Sequence, residues 1–266
     1  MAENCKNCNE IITGNFCINC GQKKYKRIDR KYVIDEIEYT FLHVNKGFLF
    51  SAKNILRNPG KTAKEYIDGN RVNHYKPILF AFVLSGISTF LYIKVIGFDS
   101  IMNAALAKHS VNTQLMKNYM AFISNYSSIL SIAMIPFFAL TTKIAFRRWG
   151  HNYYEHVVMN AYFLSFYTLL NIIFLYPVLF ILKHSEPSLV LNIVQWFMCI
   201  IPFLLVWFFK EYYNDKPLKS VILRVLAIIG LILLTYIIVV FVAIIIGIIY
   251  AIINGPDALQ QFKPKA

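Results

Sequence analysis

Five long apolar runs constrain what this chain can fold into more than any other feature of its 266 residues. A helix needs roughly 20 apolar residues to cross about 30 Å of hydrocarbon. Nearly uncharged runs of about that length lie at 77–98, 127–146, 157–182, 189–209 and 225–253. The composition agrees, because 57% hydrophobic residues are more than a soluble domain of this size would carry. The sequence therefore predicts an all-α polytopic membrane protein with about five transmembrane helices.

Four cysteines near the N-terminus form two Cys-x-x-Cys pairs, Cys5 with Cys8 and Cys17 with Cys20. Eight residues separate the pairs, which is enough for one hairpin. Two tight knuckles at this spacing can place four thiolates around one tetrahedral zinc ion. We therefore predict a zinc ribbon over residues 1–24, in which these four cysteines bind Zn²⁺ and the metal folds a segment too short for a core of its own.

The residues that follow each pair fit the same interpretation. Asn9 and Gly21 lie where a knuckle needs a residue with positive φ, which Gly adopts freely and Asn tolerates. Two disulfides are the alternative, although a reducing cytoplasm disfavours them. A redox-active dithiol is another alternative, but it would not need two matching pairs. Cys199 lies within the fourth apolar run, where we expect it to be a small buried residue.

The chain divides by charge as well as by hydropathy. Residues 1–76 hold 14 of the 27 Lys and Arg side chains. Apolar residues at three- and four-residue intervals predict an amphipathic helix over 31–44. Arg71, His74 and Lys76 are expected to meet lipid headgroups just before the first apolar run. The predicted division is a zinc ribbon at 1–24, cytoplasmic or interfacial amphipathic helices at 25–76, a five-helix transmembrane domain at 77–254 and a C-terminal tail at 255–266.

Basic residues also predict the orientation, since short cytoplasmic loops are enriched in Lys and Arg. Arg147 and Arg148 follow the second run, and Lys210, Lys216 and Lys219 surround the loop before the fifth. We therefore expect a multi-pass protein of the bacterial cytoplasmic (inner) membrane with a cytoplasmic N-terminus. No signal peptide is expected, because the polar start of the chain has no apolar h-region.

Two motifs invite an enzymatic interpretation. His151, Glu155 and His156 lie within about one and a half helical turns, where they could hold a metal or a phosphate. A solvated loop that binds headgroups explains the same residues, and no second cluster completes a site. The stretch NPGKT at 58–62 resembles part of a nucleotide-binding loop, but Ile55 stands where that loop needs a glycine, and no strand precedes it. We therefore assign no catalytic residue.

Several of these features together resemble a known family. The ribbon ending FCINCGQ and the stretch GFLFSAKNILRNPGKTAKEYIDGNRVNHYKPILF at 47–80 are similar to domain-of-unknown-function family 3667, membrane proteins found mainly in Bacteroidota. The resemblance covers the ribbon and 47–80, and elsewhere it is mostly hydropathy. It implies a protein of the cytoplasmic membrane and identifies no catalytic residue.

The sequence favours an interaction or regulatory module over an enzyme. A small-solute or lipid transporter is the alternative, although the only ionisable groups in the runs, Lys94 and Lys143, lie near their ends. A membrane-bound enzyme using the His and Glu residues above is a third. Expected partners are a cytoplasmic protein at the ribbon and anionic headgroups near the basic residues that follow it. Nucleic acid is not expected, because the ribbon carries few aromatic or basic residues.

Overall fold

A computed structural model describes residues 3–24, 27–32, 47–108 and 114–254. The described chain is mostly helical and contains five helices long and apolar enough to cross a membrane, as the sequence predicts. We number these spans 1 to 5 in chain order: Pro77–Val95, Met116–Ala145, Tyr153–Leu182, Pro187–Tyr212 and Leu218–Tyr250. Each coincides with one apolar run and differs from it only at the ends. The predicted amphipathic helix at 31–44 lies mostly outside the described residues.

The elements follow one another simply along the chain. Before span 1 lie strands β1 (Glu3–Asn4) and β2 (Ile11–Ile12) and helices α1 (Phe48–Arg57) and α2 (Pro59–Ile67). Span 1 is α3 (Pro77–Phe90) with a π-helical turn (Leu91–Val95), and α4 (Phe98–Lys108) leads to α5 (Gln114–Ala145), which contains span 2. Span 3 is α6 (Tyr153–Leu170), a π-helical turn (Asn171–Leu175) and α7 (Tyr176–Leu182). Span 4 consists of α8 (Pro187–Met198) and α9 (Ile201–Tyr212). Span 5 lies in α10 (Leu218–Asn254).

Span 4 is interrupted near its middle. Helix α8 ends at Met198 and α9 begins at Ile201, with Pro202 in its first turn. Proline is tolerated there because the N–H groups in the first turn of a helix have no acceptor within the helix, so the N–H that proline lacks is not missed. Cys199 lies at this break and is exposed on the surface of the bundle. The expectation that Cys199 is buried is therefore wrong, because this part of span 4 lies on the outer surface, where Met198 and Ile200 are exposed as well.

The largest core lies at one end of the bundle, where the two helices before span 1 pack into it. Ile55 of α1 and Tyr66 of α2 are buried with Tyr162 of α6 and with Phe208 and Tyr212 of α9. The rings of Tyr66 and Tyr162 meet edge to face with centroids 5.7 Å apart. Helices α1 and α2 therefore pack directly against the spans.

His74 and Arg71, which precede span 1, face protein. His74 is 5% exposed. The guanidinium carbon of Arg71 lies 4.3 Å from the centroid of the Tyr32 ring, a cation–π contact. The expectation that these residues meet headgroups is not met for His74, because packing of α1 and α2 against the spans encloses the segment that carries it.

The segments before span 1 contact the loop between spans 2 and 3 and the end of span 4. Arg27 Nη2 donates to the carbonyl of Gly150, between spans 2 and 3, over 2.9 Å. Asn58 Nδ2 donates to Glu211 Oε2, at the end of span 4, over 2.7 Å. We call this the ribbon end of the bundle. The loops between spans 2 and 3 and between spans 4 and 5 therefore lie at the same end of the bundle as the ribbon.

Candidate metal centre

The first cysteine knuckle connects β1 to β2, which form a short antiparallel pair. The amide of Cys5 donates to the carbonyl of Glu10 over 2.8 Å, and the amide of Asn9 donates to the carbonyl of Cys5 over 2.9 Å. Asn9 has φ 61°, a left-handed conformation that lets the chain turn back beneath Cys8. The positive φ expected at Asn9 is confirmed.

The second knuckle repeats the same arrangement. The amide of Cys17 donates to the carbonyl of Gln22 over 2.7 Å, and the amide of Gly21 donates to the carbonyl of Cys17 over 2.9 Å. Gly21 has φ 72°, as expected, and a residue without Cβ adopts this conformation without strain. Cys17 and Cys20 thus lie on a turn equivalent to the one that holds Cys5 and Cys8.

The two knuckles bring the four thiols together. The Sγ atoms of Cys5 and Cys20 are 3.6 Å apart, and Cys8 Sγ lies 3.5 Å from the Sγ of both Cys17 and Cys20. All four sulfurs lie within 4.8 Å of one another. A tetrahedral thiolate site with metal–sulfur bonds of about 2.3 Å has sulfur–sulfur edges of about 3.8 Å. The geometry of the four cysteines therefore fits one metal ion.

The thiols have unequal acidity because their surroundings differ. The side chain of Asn7 hydrogen-bonds to Cys20, and this interaction, opposed by burial, lowers the pKa of the Cys20 thiol to about 6. A backbone hydrogen bond near Glu10 favours the thiolate of Cys8, but burial and the neighbouring thiols outweigh it and raise the pKa of Cys8 to about 12. A metal cation bound by the sulfurs would instead lower the pKa of Cys8, since a coordinating thiol is deprotonated.

One side of the ribbon is attached to the segment before span 1. The Oε1 atom of Gln22, which is 2% exposed, accepts from the amides of Arg71 over 3.2 Å and Val72 over 3.3 Å. Asn73 Nδ2 donates to Asn7 Oδ1 over 3.2 Å. Both knuckles therefore contribute one amide side chain to this contact, through Asn7 and Gln22.

The chain after the ribbon is held by the start of span 3. Arg27 Nε lies 3.1 Å from Glu155 Oε1 and Arg27 Nη2 lies 3.3 Å from Glu155 Oε2. Asn152 Nδ2 donates to the carbonyl of Ile28 over 2.6 Å, and the Ile28 side chain is fully buried in the main core. The ribbon is thus connected to the helical bundle on two sides.

The ribbon also exposes several apolar residues. Ile11 is 53% exposed, Phe16 57% and Ile18 86%. Ile11 and Ile18 line a shallow groove of about 630 Å³ together with Glu10 and Asn19. Apolar side chains are costly to leave in water, so a cluster of them on so small a module is typical of a surface that binds another molecule.

The structure separates His151, Glu155 and His156. Glu155 is 4% exposed and forms a capping box with Asn152, in addition to its pair with Arg27. His156 is fully buried, and its ring centroid lies 6.4 Å from that of His151. These three side chains do not converge on one ion: in the described ranges, the four cysteines are the group found close enough to share one. The alternative of a solvated loop is also wrong for Glu155 and His156, because both side chains are buried.

Together, the fold and the site define a multi-pass helical membrane protein. Before its first span lies a cluster of four cysteines that could bind a metal ion. A family model described as a protein of unknown function (DUF3667) matches residues 45–89. The match covers α1, α2 and most of span 1, and it agrees with the resemblance of residues 47–80. No curated protein and no solved structure shows significant similarity to the chain.

Proposed function

We propose that the metal is zinc and that its role is structural. Four thiolates are soft ligands and select zinc or iron over the hard cations magnesium and calcium. Cys5, Cys8, Cys17 and Cys20 would fill all four positions of a tetrahedral ion, which would leave no position for a substrate or a water. The strands of the ribbon have two residues each, and metal binding supplies the folding energy that so small a sheet lacks.

We further propose that the protein is a membrane-anchored interaction module whose ribbon binds a cytoplasmic protein. The observation that carries this proposal is an exposed apolar groove on a ribbon whose other contacts attach it to the bundle. Asn7 and Gln22 attach the ribbon to the bundle, whereas Ile11 and Ile18 are exposed and line the groove. A protein with an apolar anchor side chain fits that groove, because such anchors supply most of the energy of protein interfaces.

The chemistry of the ribbon favours a protein over nucleic acid. Its described basic residues are Lys6, Lys23 and Lys24, which Glu3 and Glu10 partly offset. A divalent ion with four thiolates adds a net charge of about −2. Binding to nucleic acid rests mainly on neutralising phosphates with several Lys and Arg residues, which this surface does not supply.

The N-terminus is proposed to lie in the cytoplasm of a bacterium, with the ribbon end of the bundle inside. The support is the charge of the loops at that end, which carry Arg147, Arg148 and Lys216. A reporter fused after residue 266 should be periplasmic, whereas one inserted at Asn214 should be cytoplasmic. A cytoplasmic C-terminal reporter would contradict this orientation. The headgroup contacts expected for the basic residues near 23–27 are part of the same proposal.

The interaction can be tested by photo-crosslinking in living cells. A photoreactive amino acid at position 18 should give one discrete adduct with a protein, whereas the same amino acid at the exposed position 6 should not. Ile11→Glu should abolish the adduct at position 18, because it places a charge in the groove while leaving the cysteines intact. Equal adducts at both positions, or adducts with lipid alone, would show that the groove is not a protein-binding surface.

Transport is the alternative function, and it stays a prediction from hydropathy. Deleting residues 1–24 separates the two hypotheses, because the spans satisfy their own backbone hydrogen bonds and should still insert. The interaction proposal expects the inserted protein to lose its crosslinked partner. Solute or lipid flux in vesicles that survives the deletion would favour a transporter instead.

A further inference from the structure

A second groove lies on the outside of the bundle, between span 2 and span 5 at the ribbon end. It has a volume of about 640 Å³, within the range of sites that hold small ligands. Arg147, Arg148 and Arg224 line its polar end. Gly230 and Leu234 line its apolar end. We call it the basic groove. It is separate from the ribbon and plays no part in the proposed interaction.

Arg224 is held in place by the loop between spans 2 and 3. One of its guanidinium nitrogens donates to the carbonyl of Ala145, and its guanidinium carbon lies 4.2 Å from the centroid of the Trp149 ring. A guanidinium has five N–H donors in a rigid fork, so the contact with Ala145 leaves donors that can bind a phosphate. The stacking on Trp149 lowers the entropy lost when a ligand binds.

Arg147 and Arg148 add two more positive charges at the same place. They lie on a single 3₁₀ turn (Arg147–Trp149), and both are exposed. Over the described parts of the chain, no carboxylate forms a salt bridge with either residue or with Arg224. Among the described residues, these three arginines therefore have no carboxylate partner, and such clusters are costly at a membrane surface unless an anion neutralises them.

The depth of the groove matches half a bilayer. Arg224 and Leu234 lie ten residues apart on α10, which is about 15 Å along a helix axis. The hydrocarbon of one leaflet is about 15 Å thick. Gly230 opens the floor between them, since a Cβ at this position would have no atom within 4 Å. The groove thus presents positive charge at headgroup level and an apolar surface below it.

We propose that the basic groove binds one anionic glycerophospholipid of the ribbon-end leaflet. Its phosphate lies among Arg147, Arg148 and Arg224, and one acyl chain lies against Gly230 and Leu234. The charge selects an anionic lipid over a zwitterionic one, because a choline headgroup would bring a cation towards three arginines. The lipid joins span 5 to span 2 at a point where the helices leave a gap.

The test uses the purified full-length protein in detergent, with native mass spectrometry of added lipid. Dioleoylphosphatidylglycerol should remain bound at about one per chain, and dioleoylphosphatidylcholine should bind at least about tenfold more weakly. The double variant R147Q/R148Q should weaken phosphatidylglycerol binding by about tenfold or more. Gly230→Leu should do the same, because its side chain fills the floor of the groove.

Two matched controls separate the site from general effects. Lys219→Gln removes a cation from the same helix outside the groove, and Gly247→Leu enlarges another glycine of α10 with open space around it. Both should retain phosphatidylglycerol like the parent. Equal retention of both lipids, unchanged binding by Gly230→Leu, or displacement of the lipid by millimolar inorganic phosphate would overturn the proposal. So would a second protein chain, seen as a dimer, in place of lipid.

Discussion

The guanidinium of Arg27 and the carboxylate of Glu155 form a two-point contact across 128 residues of sequence, with Nε–Oε1 and Nη2–Oε2 distances of 3.1 and 3.3 Å. The Glu155 side chain is 5% exposed and also accepts from the amide of Asn152 over 2.6 Å. One carboxylate therefore caps span 3 and holds the chain that follows the ribbon.

Glu155→Ala should destabilise the folded protein. The substitution removes part of a helix cap and leaves Arg27 without this carboxylate. We expect the two effects together to lower the free energy of unfolding by about 2 kcal/mol. Thermal unfolding of the detergent-solubilised protein measures the effect. Asp68→Ala is the control, because it removes an exposed i,i+4 pair with Lys64 that is worth only about 0.3–0.5 kcal/mol. Equal losses in the two variants would show that the Arg27–Glu155 contact is unimportant.

Gly60→Ala should be among the most damaging single-methyl changes in the chain. A Cβ on Gly60 would lie 2.1 Å from the carbonyl oxygen of Phe208 and 2.8 Å from the amide nitrogen of Tyr212, so α2 would have to move away from α9. We expect a loss of about 2–3 kcal/mol and a lower yield of folded protein in membranes.

Gly86→Ala supplies the comparison for Gly60. Gly86 lies within α3, and a Cβ there would meet no atom within 4 Å. Alanine is the better helix former by up to about 1 kcal/mol, so this variant should melt at the same temperature as the parent or higher. If Gly60→Ala behaved in the same way, α2 and α9 could not be packed as closely as the structure has them.

The buried His74 should make the stability of the folded protein fall in mild acid. Burial lowers the pKa of His74 from 6.5 to about 4, and the nearby carboxylate of Glu65, at 3.8 Å from Nε2 but 40% exposed, is too well solvated to prevent this. Between about pH 6.5 and 4 the unfolded chain therefore binds a proton at His74 that the folded protein does not. The stability contributed by neutral His74 is complete above pH 6.5 and falls as the pH drops.

The pH dependence can be isolated by comparing variants. Between pH 7 and pH 5 the parent should lose about 1–2 kcal/mol more stability than His74→Gln, which has no proton to gain. His184→Gln, at an exposed position, should retain the full dependence of the parent. Parallel melting curves for the parent and His74→Gln across this range would exclude the mechanism.

Local patterns in the sequence predicted the spans and the cysteine cluster. An apolar run of sufficient length specifies a membrane helix through hydrophobicity alone, and two Cys-x-x-Cys pairs specify their own knuckles. The positive φ at Asn9 and Gly21 follows from the same short motif. The capping box at Asn152 and Glu155 also has a local signal in the sequence. This signal is an Asn followed three residues later by Glu before an apolar run.

Contacts between distant segments could not be read in the same way. NPGKT contains Gly60, whose purpose is close packing against Phe208, nearly 150 residues away. His156 looks like a candidate catalytic residue in the sequence, yet it is fully buried, and Tyr212 is buried in the main core with residues of α1 and α2. Such burial depends on which helices meet, and hydropathy does not specify that.

The zinc content of the purified full-length protein tests the central claim most directly. Because Cys5, Cys8, Cys17 and Cys20 fit a closed tetrahedral site, we expect about one zinc per chain, and less than about a tenth of that after Cys8→Ser and Cys17→Ser are combined. The membrane spans should still insert in that variant. Parent protein that contains no zinc, with its four N-terminal cysteines joined as disulfides when trapped directly from cells, would contradict both the metal site and the cytoplasmic ribbon.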